Sequence, residues 1–235
     1  MDTGRVRGVE ILDQPGVDPV VVRRAMRDVV RANRLFGGAG AVAAEFAALV
    51  PALPCRATLL DVGTGMGDIP ALARRIAASG GVTLETVGLD ASETCVRSAA
   101  AHTARAVCGD ARALPFADKS VDVVICSQVL HHFFDSDLVR LVQELDRVAR
   151  VRVIIGDLLR SRLAAALFRG AAYALRFHPI SRHDGLVSIG RGFTPRDLAS
   201  SIVGAIGTRP RVESRLGWRV TASWAPESPH LDAAA

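Results

Sequence analysis

The chain has 235 residues, of which 49% are hydrophobic and 23% charged, with a formal net charge of +5. That is enough for one α/β domain with a sizeable core, and it argues against two full domains or wholesale disorder. There is no uninterrupted apolar run of about 18 residues to cross a bilayer and no signal-peptide pattern in the opening MDTGRVRGVE; Cys55, Cys95, Cys108 and Cys126 are too scattered for a zinc site or a disulfide framework and read as buried thiols of a cytoplasmic protein.

Residues 1–18 are punctuated by Gly and Pro and read as a loose lead-in. Pro19 to Arg34 has helical periodicity, with Val22, Met26 and Val29 on one face and Arg23, Arg27 and Arg31 on another. Phe36-Gly37-Gly38 breaks it, and Ala39–Val50 reads as a second helix closed by Pro51 and Pro54. These first 56 residues are expected to form a helical cap.

Residues 57–157 then alternate strand and helix. Apolar runs at 57–62, 82–89, 104–108, 121–126 and 151–155 are separated by helical stretches at 69–78, 92–101 and 137–149. Continuous apolar runs of this kind are strands buried on both faces, and the alternation predicts a doubly wound, mostly parallel sheet. Beyond Asp157, a helical stretch over 158–177 carries Arg162, Arg169 and Arg176 seven residues apart. A further helix runs Thr194–Ile206, with Thr194 as its cap and Pro195 in first position. The segment 158–206 is expected to cover the substrate. Two β-rich runs meeting at Gly217 predict a hairpin within 207–225, and 226–235 reads as a disordered tail.

The stretch DVGTGMGDIP, residues 61–70, follows the first strand and opens the first helix of that alternation. Glycines there let a backbone approach a nucleotide-type ligand without a clashing Cβ, and the N–H groups of a helix start can receive an anionic group such as a carboxylate. The spacing is G-x-G-x-G. Where a dinucleotide-binding fingerprint has its third glycine stands Asp68, whose carboxylate would repel a pyrophosphate but is tolerable beside a sulfonium. Asp68 is expected to cap the helix, with Pro70 in its first turn. Asp90 ends the second strand, where it can accept both hydroxyls of a ribose, and Asp110 follows the third, within reach of an adenine amino group. Three such positions on successive parallel strands converge on the crevice outside the strands' carboxyl ends.

Taken together, DVGTGMGDIP, VGLDAS, CGDARALPF and VDVVICSQVLHHF resemble the core of class I S-adenosylmethionine (SAM)-dependent methyltransferases, closest to the ubiquinone/menaquinone-biosynthesis-like group. The resemblance covers roughly 57–157 and implies a seven-stranded sheet of order 3-2-1-4-5-7-6, its last strand antiparallel. It further implies that Asp61, Gly63, Thr64, Gly65, Met66 and Gly67 hold the methionine end of SAM. Asp90 and Ala91 would take the ribose, Asp110 and Ala111 the adenine, and Ser127 and Gln128 would sit beneath the sulfonium.

Methyl transfer from a sulfonium needs alignment, and a hydroxyl acceptor gains further from a base. Histidine suits that role. His102 lies on a surface helix and His230 in the tail, so both are set aside. His183, with Asp184 beside it, and His132 are the candidates, although the pair His131-His132 equally suits a structural role. Asp157 reads as a helix cap, and no set of acids is spaced for a metal. The apolar content of the covering helices favours a small, largely apolar acceptor, most simply the hydroxyl of a phenolic or polyketide-like molecule. Carbon methylation of a quinone precursor, methylation of RNA or protein, and SAM binding without transfer are the competing readings.

Charge is unevenly spread: 8 basic and 6 acidic residues over 1–56, 10 and 13 over 57–157, 11 and 5 over 158–235. Without interleaved aromatics the basic end is a poor nucleic-acid surface. The Arg162–Arg169–Arg176 stripe suits either a solvated face or peripheral contact with acidic lipid. A homodimer is compatible with this reading.

Overall fold

The computed structural model describes residues 4–227. Its strands are β1 (Arg56–Val62), β2 (Thr83–Asp90), β3 (Arg105–Cys108), β4 (Val121–Ser127), β5 (Ala149–Leu158), β6 (Arg211–Arg215) and β7 (Arg219–Trp224). They form one sheet in the order β3-β2-β1-β4-β5-β7-β6. β1 to β5 run parallel, and β7 lies antiparallel to both β5 and β6. This is the expected architecture, and the hairpin turns at Gly217 as anticipated.

Helices cover both faces: α1 (Pro19–Leu35), α2 (Gly38–Leu49), α3 (Asp68–Ser79), α4 (Glu93–Ala99), α5 (Asp135–Val148), α6 (Arg162–Ala174), α7 (Pro179–Arg191) and α8 (Pro195–Ile206). The period-2 alternation of the strands divides the core in two. Leu59, Val123, Ile125 and Ile154 face α2 and α3, whereas Leu60, Val124, Val153 and Ile155 face α5 and α8. Buried Glu45 of α2 joins its layer to the hairpin, accepting hydrogen bonds from Thr221 (2.9 Å), Ser223 (3.2 Å) and Arg215 (2.5 Å). Thr194 and Asp197 close a reciprocal capping box on α8, and Asp18 caps α1 through the Val20 N–H.

Several sequence-based expectations need correction. Residues 5–13 are not a loose lead-in but a strap pinned across α7 and the turn after β4. Asp184 accepts the Ile11 and Leu12 N–H groups at 2.8 and 3.0 Å, and Arg5 donates to the carbonyls of Arg191 (2.7 Å) and His131 (2.9 Å). The helical run expected over 158–177 starts later, because β5 continues through Leu158; α6 begins at Arg162 and has ended before Arg176, whose φ is +55°. A second helix, α7, follows where only a covering segment was foreseen; Pro179 sits in its first position and His178 caps it. α8, grouped by sequence with the covering helices, packs instead beside α5. The cap of α3 is Gly67, at φ +77°, and Asp68 is the first helical residue, where its charge complements the helix dipole. Cys55 and Cys108 are exposed, Cys108 because it ends the edge strand β3. Most of the expected tail, 228–235, and with it His230, lies outside the described residues.

Candidate active site

The order of strands reverses between β1 and β4, and a crevice at such a point is where open α/β sheets take ligands. A cavity of about 930 Å³ lies there, between the carboxyl ends of the strands and a roof made from the strap, α1, α6 and α7. Gly63 and Gly65 line its polar end in the left-handed region, at φ +74° and +54°. The loop is tied to the neighbouring strand, since the N–H groups of Gly63 and Thr64 both donate to Leu89 O, at 2.8 and 3.0 Å. A side chain on Gly63 would collide with Val129, so glycine is required there twice over, by conformation and by contact.

Three carboxylates surround this loop. Asp90, at the end of β2, accepts from Gly65 N–H and Ser92 N–H, both at 2.9 Å, and lines the cavity. Burial raises its pKa above the ordinary aspartate value, and does the same for Asp68. Asp61 is fully buried, and neither of its carboxylate oxygens has a hydrogen-bond partner. Burial, with Asp68 and Asp90 nearby, pushes its pKa to about 8. Thr64 Oγ1 and Ser127 Oγ are buried and unpartnered in the same way. Orphaned polar atoms flanking a glycine cradle are costly in an empty fold, and they suit a ligand rich in hydrogen-bonding groups. Asp110 is partly exposed and bound by Arg112 at 2.8 Å, which holds its carboxyl below the usual range.

Beyond β4 the backbone turns sharply. Gln128 adopts φ +56°, its N–H donates to Gly156 O at 2.7 Å, and its side-chain amide donates to Asn33 of α1. A non-glycine residue in this conformation beside a cavity is a strained position held by its surroundings. The same turn presents the histidine pair. His131 is buried and lines the cavity; its backbone N–H reaches Asp157 Oδ2 at 3.1 Å and its Nδ1 lies 2.7 Å from Asp157 Oδ1. Full burial would by itself raise the Asp157 pKa, but the facing His131 ring holds it below the ordinary value. Asp157 is therefore a buried strand residue gripping a histidine, not a helix cap. His131 Nε2 points to Glu10 of the strap, 3.7 Å away.

His132 packs on His131 with ring centroids 4.3 Å apart, and its Nδ1 meets Asp13 at 2.9 Å. Burial disfavours its charged form, but Asp13, with Glu10 and Asp157 behind, raises its pKa above the usual histidine value. Arg191 of α7 completes the group, 3.1 Å from Glu10 and 3.3 Å from Asp13, while Ser188 donates to Glu10 at 2.9 Å. Glu10, His131 and His132 lie close enough to share a cation, yet the Arg191 guanidinium already places a positive charge among them.

Of the residues expected from sequence, Gly63, Gly65, Asp90, Ala91, Asp110, Ala111, Gln128 and His132 line the cavity. Asp61, Thr64, Met66, Gly67 and Ser127 stand behind that surface, in or next to the same loop and strand ends. His183 is half-exposed, hydrogen-bonded to Asp184 at 2.8 Å, and outside the lining. Sequence reasoning missed the strap residues Arg5 and Glu10 and the His131–Asp157 pair. It also gave no role to Asp28, the only acid in the arginine-rich α1, which is buried and accepts from His178 N–H (2.7 Å) and Ser181 Oγ (3.1 Å).

Residues 60–155 match the family model described as a methyltransferase domain. Over 113 residues the chain is 35% identical to the biotin biosynthesis bifunctional protein BioHC of Cellvibrio japonicus, a match spanning 47% of this chain and 21% of that longer protein. Among solved structures, a SAM-dependent methyltransferase from Aquifex aeolicus superimposes with a TM-score of 0.61 at 17% identity, covering 89% of this chain and 99% of the other. The magnesium protoporphyrin IX methyltransferase of Synechocystis PCC 6803, solved with bound SAH, does so with a TM-score of 0.57 at 18% identity, covering 85% and 87%. The chain thus has the Rossmann-like fold of these structures, and residues 60–155 are the part that resembles a methyltransferase domain.

Proposed function

We propose that the chain is a SAM-dependent methyltransferase that modifies a hydroxyl on a small, largely apolar acceptor of phenolic or polyketide-like type. The observation that carries this reading is the division of the cavity. Its polar end is built from Gly63, Gly65, Asp90 and Asp110; elsewhere it is walled by Leu167 and by Phe36, Phe168 and Phe177, whose rings pack edge to face; His131 stands on the same lining. SAM supplies, when bound, a methyl group on a sulfonium that leaves without needing an acid. By the resemblance, Asp61 and the loop 63–67 hold its methionine end, Asp90 and Ala91 the ribose, Asp110 and Ala111 the adenine, and Ser127 and Gln128 border the sulfonium.

The residues of this chain then have three tasks. The apolar wall excludes water and orients the acceptor, and alignment alone can contribute about 7–11 kcal/mol. Asp157 accepts from Nδ1 of His131 and so leaves Nε2 to take the acceptor's proton, a contribution of about 10²–10⁴-fold in rate. The Glu10 carboxylate, 3.7 Å from that nitrogen, stabilises the imidazolium that results. His131 is preferred as base over His132, which Asp13 favours as a cation, and over His183, which lies outside the lining.

Incubation with SAM and a panel of phenols, read by mass spectrometry, tests the reading. The expected result is a product heavier by one methylene unit, with His131→Gln slowing turnover at least tenfold while SAM still binds. SAM binding without product from any hydroxylated acceptor would overturn it.

A further inference from the structure

α6 is apolar on both sides: Ala164, Ala165, Phe168 and Ala172 face inward, and a second apolar stripe faces out. Leu163 is 59% exposed, Leu167 50% and Tyr173 64%, with Ala166, Gly170 and Ala174 filling the stripe between them at helical spacing. Soluble helices turn such a stripe inward. Exposed arginines border it: Arg162 and Arg169 on α6 itself, and Arg176 just past its end. Arg31 of α1 reaches over from the other side of the cavity mouth, its guanidinium 5.2 Å from the Phe177 ring centre and 3.5 Å from Leu175 O. Arg23 and Arg27 continue that row along the exposed side of α1. Between residues 19 and 35 and between 162 and 177 the sequence holds a single acid, Asp28, which is buried and engaged by α7. The face is therefore apolar in the middle and positive at its border.

It is also continuous with the cavity. Leu167 and Ala171 line the cavity from α6, and Val22 and Met26 line it from α1, so half-exposed Leu167 belongs to both the stripe and the pocket wall. We infer that the α6 face, flanked by α1, seats on an anionic lipid surface, and that the acceptor passes from that surface into the cavity along its apolar wall. Arginines attract the headgroups while Leu163, Leu167 and Tyr173 enter the interfacial region, the pattern of an interfacial helix. A nucleic acid or an acidic protein would be drawn by the same charge but would leave the leucines in water. The acceptor's route rests on the reading of an apolar acceptor; the seating does not, and it is measured without turnover.

The test is co-sedimentation of the full chain with phosphatidylcholine vesicles, with and without phosphatidylglycerol, alongside calorimetry with SAM. Retention on the anionic vesicles is expected to exceed that on the zwitterionic ones by about tenfold or more. Arg162→Glu with Arg169→Glu, and separately Leu163→Glu, are each expected to abolish the excess while leaving SAM affinity and thermal unfolding unchanged. Neither arginine nor Leu163 lines the cavity. Equal retention on both vesicle types overturns the inference. So does full retention by Leu163→Glu, which would mark attraction by charge alone, or a dimer in gel filtration that Leu163→Glu dissociates. Loss of SAM binding by the parent chain would instead sink the methyltransferase reading and leave the lipid result standing.

Discussion

Gly63 is the residue on which the cofactor end of the site turns. Its φ of +74° is uncommon for any side-chain-bearing residue, and Val129 occupies the space a Cβ would need. Gly63→Ala is accordingly expected to weaken SAM binding by tenfold or more, measured by calorimetry, with the sheet intact by circular dichroism. Asp61 gives a second, independent reading. With its pKa at about 8 in the free protein, it is mostly protonated at pH 7. A cationic ligand favours the carboxylate, so SAM binding near pH 7 should release a proton, seen as a dependence of the binding heat on buffer ionisation enthalpy. The sign for stability follows from the same shift. A carboxyl whose folded pKa is raised contributes stability below its unfolded value, and this is lost as pH rises towards 8. Asp61→Asn should therefore raise the melting temperature of the free protein at pH 8 while removing the proton release.

The strap is the element that sequence reading misjudged, and it offers a test of its own. Asp184→Ala leaves the half-buried Ile11 and Leu12 N–H groups without their acceptor, at a cost of about 1 kcal/mol. Hydrogen exchange over residues 5–13 should accelerate while that of β4 does not. A pH dependence accompanies it. Burial opposes the charge on His132, but Asp13, Glu10 and Asp157 outweigh it and raise the folded pKa, so its grip on the strap is complete below the ordinary histidine value. That grip is lost as pH rises through the raised value. Strap exchange should quicken over that range beyond the intrinsic rate, and His132→Gln should remove the step. The glycine loop and the strand-end acids were legible in the sequence because their chemistry is local: a turn needs glycine, and a strand end leads into a crevice. Arg5, Glu10 and Asp157 were not. Their partners lie 121 residues away or more for Arg5 and Glu10, and 26 for Asp157, with no periodicity to announce them.

At the scale of the molecule, the parallel sheet and its helical layers followed from alternation, since a strand buried on both faces has no polar side to disguise it, whereas the strand order came from the resemblance. What alternation could not give is the extent of β5, where buried Asp157 interrupts the apolar run. It also could not separate α6 from α7, because both are rich in small and basic residues. Ligand linkage supplies the global test. A site that binds only the folded chain stabilises it by about 2.7 kcal/mol at a hundredfold excess over Kd, which for a chain of this size is about 5–11 °C in melting temperature. SAM and its demethylated product should both produce such a shift, and a nicotinamide dinucleotide should produce none.

The strap's contacts also constrain the path by which the protein acquires its shape. Asp184 meets residues 11 and 12 across separations of 173 and 172 positions, and Arg191 meets Glu10 across 181. Loops of that span close late, after nearer contacts have made the closure worthwhile. The parallel strands β1 to β5 can therefore assemble before the roof, and a nascent chain still lacking α7, and with it β6 and β7, would carry the glycine loop and its strand ends open to water.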